Sequence, residues 1–256
     1  MNVRTETVDI VVDEQRIEGT LTAPPAGAAN GPGVLFVHGW GANRDHYTEE
    51  AGALAGIGCV CLTFNLRGHA ETEALHETVT REDNMRDVMA AYDALARIRG
   101  CGRAFIGVVG SSYGAYLGAL LVYMRPLRFL ALHAPALYMD HDWELPKRKL
   151  HVNPDFAAYR RLALRAEDNR ALGACAQFLG DALVVESEHD EVIPHPAVAN
   201  YISALANAHS LTYRVIAGAD HSLSRPQWES EYTQLLVNWM TEITKERACA
   251  STATPS

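Results

Sequence analysis

The stretch at residues 110–114, Gly-Ser-Ser-Tyr-Gly, constrains this chain more than any other. An apolar run at 105–109 precedes it and a helix-forming run at 115–122 follows it, which predicts a strand, a sharp turn and a helix. Such a turn strains the backbone of its central residue and raises the Ser112 hydroxyl above the sheet edge, while the flanking glycines leave room for strand and helix. We therefore take Ser112 as a candidate nucleophile. The alternative is a glycine-rich turn in which this serine only caps the helix.

Length, composition and charge limit the classes of protein to which this chain can belong. A chain of 256 residues with 48% hydrophobic and 21% charged residues can bury one large core. A net charge of −9 argues against a nucleic-acid surface, and no apolar run approaches the roughly 20 residues that cross a bilayer. Residues 1–10 lack the basic and then apolar segments of a secretory signal. We expect a cytoplasmic protein without a nucleic-acid or membrane partner; its oligomeric state cannot be read from the sequence.

Apolar runs alternate with helix-like segments along the chain. The predicted strands are residues 8–12, 17–21, 34–37, 59–64, 105–109, 129–132, 182–185 and 211–216. The main predicted helices are residues 46–56, 81–99 and 227–245. This alternation predicts an α/β fold, in which a mostly parallel sheet carries helices on both faces. We expect one domain over residues 1–247, with a small cap-like insertion at about 135–167 and a disordered tail at 248–256.

A serine hydroxyl needs a base to become a nucleophile, and two later loops carry suitable residues. Histidine can take the proton near neutral pH, and a carboxylate can then orient the imidazole and stabilise its cation. Asp190 follows the apolar run that ends at residue 185, and His221 follows the run that ends at residue 216. Both loops are expected beyond the carboxyl ends of parallel strands, where such sites form. The sequence therefore predicts a Ser112–Asp190–His221 triad.

Each of these residues has rivals nearby in the sequence. Only Ser112, and not Ser111, has a glycine two residues before it and another two residues after it. Asp220 is adjacent to His221, and the side chains of adjacent residues rarely point toward the same place. Asp190 is preferred over the neighbouring glutamates because it lies past the predicted strand and just before a Val-Ile-Pro turn; these glutamates are Glu186, Glu188 and Glu191. His38 lies in another glycine-rich loop, at residues 38–41. We interpret it as a structural residue that forms hydrogen bonds with the backbone near the site.

The motifs in this order resemble those of the α/β-hydrolase superfamily, over almost the whole chain. The style is that of small bacterial serine hydrolases: carboxylesterases and relatives of dienelactone hydrolase and of prolyl-oligopeptidase-type domains. The resemblance implies an eight-stranded, mostly parallel sheet with an antiparallel N-terminal strand and a small cap. It also implies that the loop at residues 38–41 supplies an oxyanion hole, formed by the backbone N–H groups of Trp40 and Tyr113. The turn at residues 65–69 resembles a D-x-R-G-H-G motif in which Asn65 replaces the aspartate.

The insertion at about 135–167 contains aromatic residues that could shape a substrate pocket. We expect Tyr138 and Trp143, with the side chains of Trp40 and Tyr113, to line a partly aromatic substrate pocket; ordinary surface packing is the alternative. The basic run at residues 147–149 is interpreted as a solvated face. No glycine-rich nucleotide motif is present, and residues 140–142, Asp-His-Asp, lack a partner cluster at metal-ligand spacing, so no cofactor is expected.

These features together predict a serine hydrolase that cleaves a small-to-medium carboxylic ester through an acyl-enzyme. A thioesterase or a peptidase or amidase of the same fold is the alternative within hydrolases, and acyl transfer to another acceptor also stays open. From a different class, the chain could be a non-catalytic, ligand-binding member of the fold. A serine rather than an aspartate at residue 112 argues against dehalogenase chemistry. The predicted partner is a small-molecule substrate.

Overall fold

Eight strands form one sheet in the computed structural model, which describes residues 3–25, 31–98, 105–150 and 153–252, with side chains as far as residue 245. The strands are β1 (Arg4–Val12), β2 (Gln15–Ala23), β3 (Gly33–Val37), β4 (Val60–Phe64), β5 (Ile106–Ser111), β6 (Phe129–His133), β7 (Asp181–Ser187) and β8 (Ser210–Ile216). The α-helices are α1 (Thr48–Gly56), α2 (Arg81–Arg97), α3 (Tyr113–Leu121), α4 (Lys147–Leu150), α5 (Asp155–Tyr159), α6 (Arg170–Ala176), α7 (His195–Ala204) and α8 (Pro226–Thr252).

The strand order is β1-β2-β4-β3-β5-β6-β7-β8. The only strand of this sheet that runs against both neighbours is β2, which pairs antiparallel with β1 and with β4. From β4 to β8 every pairing is parallel, so the carboxyl ends of β3, β5, β6, β7 and β8 share one edge of the sheet. Residues that follow these strands therefore meet at that edge, although they are far apart in sequence.

Side chains alternate between two apolar cores, one on each face of the sheet. Leu35 and Val108 face the core that includes α2, α3, α6 and α7, whereas Phe36 and Val109 face the core that includes α1 and α8. The central strands are buried on both faces, which explains why they read as continuous apolar runs in the sequence. Because both faces of these strands are packed, their carboxyl ends, next to which the candidate site lies, are held in place.

The predicted fold class is confirmed, and the predicted strands are all present with boundaries that differ by a few residues. The last helix begins at Pro226, as expected, but continues through Thr252, so part of the segment predicted as a tail from residue 248 is helical. Residues 253–256 of that predicted tail lie outside the described residues. None of the helices in the described part of the chain combines the length and apolar character of a membrane span.

The insertion at 135–167 is short in regular structure. It contributes the four-residue α4, the five-residue α5 and the start of a 3-10 helix at Ala166–Asp168. Arg81, at the start of α2, fastens it by donating from its guanidinium to the carbonyls of Met139, at 2.7 Å, and His141. Because Arg81 is fully buried, these bonds tie the insertion directly to the body of the domain.

Candidate active site

Ser112 lies on a strained turn between β5 and α3. Its backbone has φ 52° and ψ −113°, a conformation that non-glycine residues seldom adopt. Its side chain makes no helix-capping hydrogen bond, which is the role that the alternative interpretation gave it. The strained turn instead leaves the hydroxyl free to face the loops that follow β7 and β8.

The close packing around this turn explains the two glycines that flank Ser112. A Cβ atom on Gly114 would lie 1.9 Å from the carbonyl oxygen of Val37, and one on Gly110 would lie 2.7 Å from the backbone of Gly114. Both contacts are with main-chain atoms, which cannot swing away as a side chain can. The end of β3 and the start of α3 are therefore held against each other at Ser112.

His221 stands between Ser112 and Asp190. Its Nε2 atom is 3.1 Å from Ser112 Oγ, and its Nδ1 atom is 2.7 Å from Asp190 Oδ2. The tautomer with the proton on Nδ1 satisfies both contacts, because Nδ1 then donates to the carboxylate and Nε2 accepts from the hydroxyl. The structure thus brings together the three side chains that the sequence predicts, in the arrangement that serine activation requires.

Asp190 is held by its own loop. Its Oδ1 atom accepts from the backbone N–H groups of Val192, at 2.8 Å, and Ile193, at 2.7 Å, which leaves Oδ2 for His221. Only 3% of its side chain is exposed, so the contact with His221 is shielded from water.

The rival residues are engaged elsewhere. Ser111 Oγ lies 3.0 Å from His133 Nδ1 rather than beside His221. Three rival carboxylates bond to other groups: Glu186 to His195 and Tyr213, Glu188 to the N–H of Gly218, and Asp220 to Ser224. The fourth, Glu191, is exposed.

A cavity of about 280 Å³ opens beside Ser112. Its walls are partly polar and partly apolar. Besides Ser112 they include His46, Ser111, His133, His221 and Ser222, and Trp40 is also among the lining residues. A larger groove, of about 610 Å³, lies between β8 and α8, and its lining includes none of the three residues of the predicted triad. We assign the candidate site to the smaller cavity because Ser112 and His221 line it.

The sequence analysis missed His133, which joins three strands beneath this cavity. Its ring lies between Ser111 Oγ, at 3.0 Å, and Ser187 Oγ, at 3.1 Å, and its carbonyl accepts from the N–H of Ser112. Burial lowers the pKa of His133 to about 3, so the ring is neutral and has one donor and one acceptor for the two serines. A polar residue at the end of the apolar strand β6 was the signal that could have found it.

Two histidines hold the loop that carries Trp40. His38 Nε2 accepts from the N–H of Leu66, at 3.0 Å, and its Nδ1 donates to the carbonyl of Gly39. His69 Nε2 accepts from the N–H of Gly41, at 3.1 Å. Burial lowers the pKa of His38 to about 3, so it serves as a neutral hydrogen-bonding group. The loop is therefore fixed on both sides of Trp40, one of the two residues expected to form an oxyanion hole.

The expected aromatic pocket does not take the predicted form. Tyr138 is 2% exposed, and neither it nor the half-buried Trp143 is among the residues that line the cavity at Ser112. Tyr138 packs against Tyr113, with ring centroids 5.7 Å apart, and Tyr113 packs against Trp40 at 5.8 Å. Three of the four predicted aromatic residues therefore do come together, but the buried Lys147 side chain lies among them.

The basic run at residues 147–149 is not the uniform solvated face that we expected. Lys147 is fully buried, whereas Arg148 and Lys149 are exposed. The Lys147 Nζ atom lies over the rings of Trp40, Tyr113 and Tyr138, at 4.5, 4.6 and 4.8 Å from their centroids. No periodicity in this short segment distinguishes Lys147 from its neighbours, so the sequence could not have singled it out. Among the described residues, no three His, Cys, Asp or Glu side chains form a group suited to a metal ion.

The sheet order and the strained serine turn define a class, the α/β-hydrolase superfamily. Within it, the chain belongs to the prolyl oligopeptidase family, whose sequence model matches residues 45–247. Solved structures agree on the fold. Dienelactone hydrolase from Anabaena variabilis superposes with a TM-score of 0.68 at 18% identity, over 94% of this chain and 98% of that one. Est1E from Butyrivibrio proteoclasticus, solved with ferulic acid bound, superposes with a TM-score of 0.73 at 17% identity, over 93% of this chain and 99% of that one.

Two further relatives widen the comparison. An acylaminoacyl peptidase from Pyrococcus horikoshii superposes with a TM-score of 0.71 at 16% identity, and 95% of this chain covers 42% of that larger chain. An uncharacterised protein of Mycobacterium tuberculosis is 25% identical over 223 residues, which are 84% of this chain and 72% of that protein. Family and fold together make the chain a hydrolase.

Proposed function

We propose that this protein is a serine hydrolase that cleaves small-to-medium carboxylic esters by acyl transfer to Ser112. The observation that carries the proposal is the continuous chain from Ser112 Oγ through the His221 ring to Asp190, with contacts of 3.1 and 2.7 Å. A ligand-binding member of the fold would need neither a strained serine nor a base aligned with it. The natural partner is then a small-molecule substrate, and we keep the cytoplasm as the proposed location.

The proposed reaction has two steps. His221 takes the proton from Ser112 as Oγ attacks the carbonyl carbon, and it returns that proton to the leaving alcohol when the ester bond breaks. The acyl group is then joined to Ser112. Water attacks this acyl-enzyme as His221 takes one of its protons, and the same proton returns to Ser112 when the acid leaves.

Backbone N–H groups would stabilise the charge that develops on the carbonyl oxygen. Tyr113 is the first residue of α3, where an N–H has no partner within its own helix. Trp40 lies in the loop that His38 and His69 hold in place. We propose that the N–H groups of these two residues form the oxyanion hole, aided by the positive end of the α3 dipole.

The dimensions and polarity of the cavity support a limited substrate size. A space of about 280 Å³ with several hydrogen-bonding walls suits a compact ester that carries polar groups. Membership of the prolyl oligopeptidase family favours a second candidate, hydrolysis of an amide or a short peptide at the same triad. Both candidates use the same residues and differ only in the leaving group that His221 must protonate.

Turnover of matched substrates tests the proposal. We expect p-nitrophenyl acetate and butyrate to be hydrolysed, with a burst if acyl-enzyme breakdown is slow, and the corresponding p-nitroanilides to react more slowly. Faster cleavage of anilides would favour the peptidase candidate instead. Absence of turnover of esters, thioesters and anilides by folded protein would contradict hydrolysis and favour a ligand-binding role.

A further inference from the structure

The end of the Lys147 side chain occupies an aromatic recess next to Ser112. Its Nζ atom is within 4.8 Å of three ring centroids, those of Trp40, Tyr113 and Tyr138, and the residue is fully buried. We refer to the space enclosed by these three rings as the aromatic recess. Its walls are the rings of large side chains, so the amino group and its alkyl stem fill space that apolar groups could otherwise occupy.

The recess adjoins the candidate active site through two of its walls. Trp40 is among the residues that line the cavity at Ser112, and Tyr113 is the residue that follows Ser112 in the chain. The same two residues are proposed to supply the oxyanion hole with their N–H groups. A substrate group that extends from the carbonyl past Trp40 would therefore reach the recess, and it would meet Lys147 there.

The backbone of Lys147 is fixed, so its side chain alone decides whether the recess is filled. The N–H of Lys147 donates to the carbonyl of Val79 at 2.8 Å, and the preceding Pro146 pairs with Thr80 in an antiparallel bridge. Replacing the side chain should therefore change the recess without displacing the segment.

The volume of the Lys147 side chain, rather than its charge, closes the recess. Burial lowers the pKa of Lys147 well below its usual range, and the charges of Arg160 and Arg81 lower it further. Both arginines donate to backbone carbonyls, Arg160 to Leu137 and Arg81 to Met139, so their charges hold the insertion in place. An unbranched apolar side chain of similar length would therefore fill the same recess equally well.

We propose that Lys147 is a specificity-determining residue that closes the aromatic recess and restricts the site at Ser112 to compact substrate groups. This inference rests on the proposed function, since it concerns the group that lies beside the attacked carbonyl. The unmodified protein accepts short chains, and removal of the Lys147 side chain opens apolar space for longer ones. Without that side chain, the recess lined by Trp40, Tyr113 and Tyr138 would extend the substrate pocket at Ser112.

Two fluorophosphonates that differ only in alkyl chain length test this directly, because both report on Ser112 without a natural substrate. The measurement is the ratio of labelling rates at Ser112 for an octyl and an ethyl probe. We expect Lys147→Ala to raise this ratio at least tenfold. Lys147→Met, which is unbranched and nearly as long, should keep the ratio of the unmodified protein, as should Lys149→Ala in the same helix, where the lysine is exposed.

The outcomes separate this inference from the function on which it rests. An unchanged ratio in Lys147→Ala, with a lower melting temperature, would mean that the lysine only stabilises the fold and would overturn the inference. If that variant does not fold, Lys147→Val keeps apolar contact with the rings and is expected to change the ratio in the same direction. Failure of the ethyl probe to label Ser112 in the unmodified protein would instead contradict the proposed function itself.

Discussion

Ser112 Oγ and His221 Nε2 lie 3.1 Å apart, although 109 residues separate them in the chain. The parallel sheet creates this contact, because β5 and β8 end at the same edge and each is followed by the loop that carries one of the two residues. Between those strands, β7 ends at the same level and its loop supplies Asp190. The order of the strands thus converts a dispersed sequence pattern into one hydrogen-bonded chain.

Replacement of the nucleophile is the first prediction. Ser112→Ala should reduce kcat for ester hydrolysis on the order of 10⁴-fold or more, because no other hydroxyl lies against His221 Nε2 among the described residues. Its melting temperature should stay close to that of the unmodified protein, since Ser112 makes no capping bond. Ser230→Ala, the same change at an exposed position on α8, is the control. Esterase activity retained in pure Ser112→Ala would refute the assignment.

The carboxylate that orients His221 gives a second prediction. Asp190→Asn should lower kcat by about 10⁴-fold, because an amide can donate to His221 Nδ1 and thereby favour the wrong tautomer. The amide oxygen can still accept from the N–H groups of Val192 and Ile193, so the loop should keep its shape. Glu191→Gln, an isosteric change at the exposed neighbour, should be nearly silent. Equal kinetics for the two variants would show that Asp190 does not orient the base.

Close packing at the serine turn gives a third prediction. Gly114→Ala should cost about 3 kcal/mol or more of unfolding free energy, because its Cβ would lie 1.9 Å from the carbonyl oxygen of Val37. Activity should fall with it, since the displaced end of β3 leads into the loop of Trp40. Gly52→Ala, within α1 and with no atom near its new methyl group, should stabilise by about 0.5–1 kcal/mol. Denaturant unfolding of the two variants decides the matter, and a Gly114→Ala protein of normal stability and activity would contradict it.

A buried glutamate gives a fourth prediction, on pH. Glu50 on α1 is 2% exposed, and burial raises its pKa from 4.5 to about 7. Between these values the unfolded chain is ionised there while the folded protein keeps the proton, so stability falls as pH rises from 4.5 to 7 and then levels off. The loss attributable to Glu50 amounts to about 3 kcal/mol at most.

Glu50→Gln removes this ionisation. The variant should therefore be more stable than the unmodified protein at pH 8 and nearly equal to it at pH 4.5. Glu49→Gln, at the exposed neighbouring position, should show no such pH-dependent difference. Urea unfolding at both pH values measures the effect, and a stability difference that does not vary with pH would exclude Glu50 as its source.

Much of the fold was predictable because burial leaves direct marks on sequence. Strands covered on both faces, such as β3 and β5, must be apolar throughout, and the turn at Ser112 requires its glycines. Asp190 and His221 are predictable because each lies in the loop that follows a predicted strand. Local pattern and position in the sheet therefore sufficed to predict which residues the structure brings together.

The side-chain environment of the site was less accessible to sequence analysis. The sequence suggests a solvated Lys147, although its side chain fills a recess formed by Trp40, Tyr113 and Tyr138. Two of these residues are distant in the chain, and no local pattern encodes their packing against the lysine. Likewise the residue type of Tyr138 suggests a pocket wall, although the side chain is buried and does not line the cavity at Ser112. Such errors arise where long-range packing, rather than periodicity, decides where a side chain points.

The most direct test of the account is intact-mass analysis after treatment with a fluorophosphonate, followed by peptide mapping, in the unmodified protein and in His221→Ala. The account predicts a single adduct on Ser112 in the unmodified protein and strongly reduced labelling in His221→Ala. Folded protein that takes no adduct, or takes it on another residue, would contradict the assignment of Ser112. Equal labelling in the two proteins would show that His221 does not activate it.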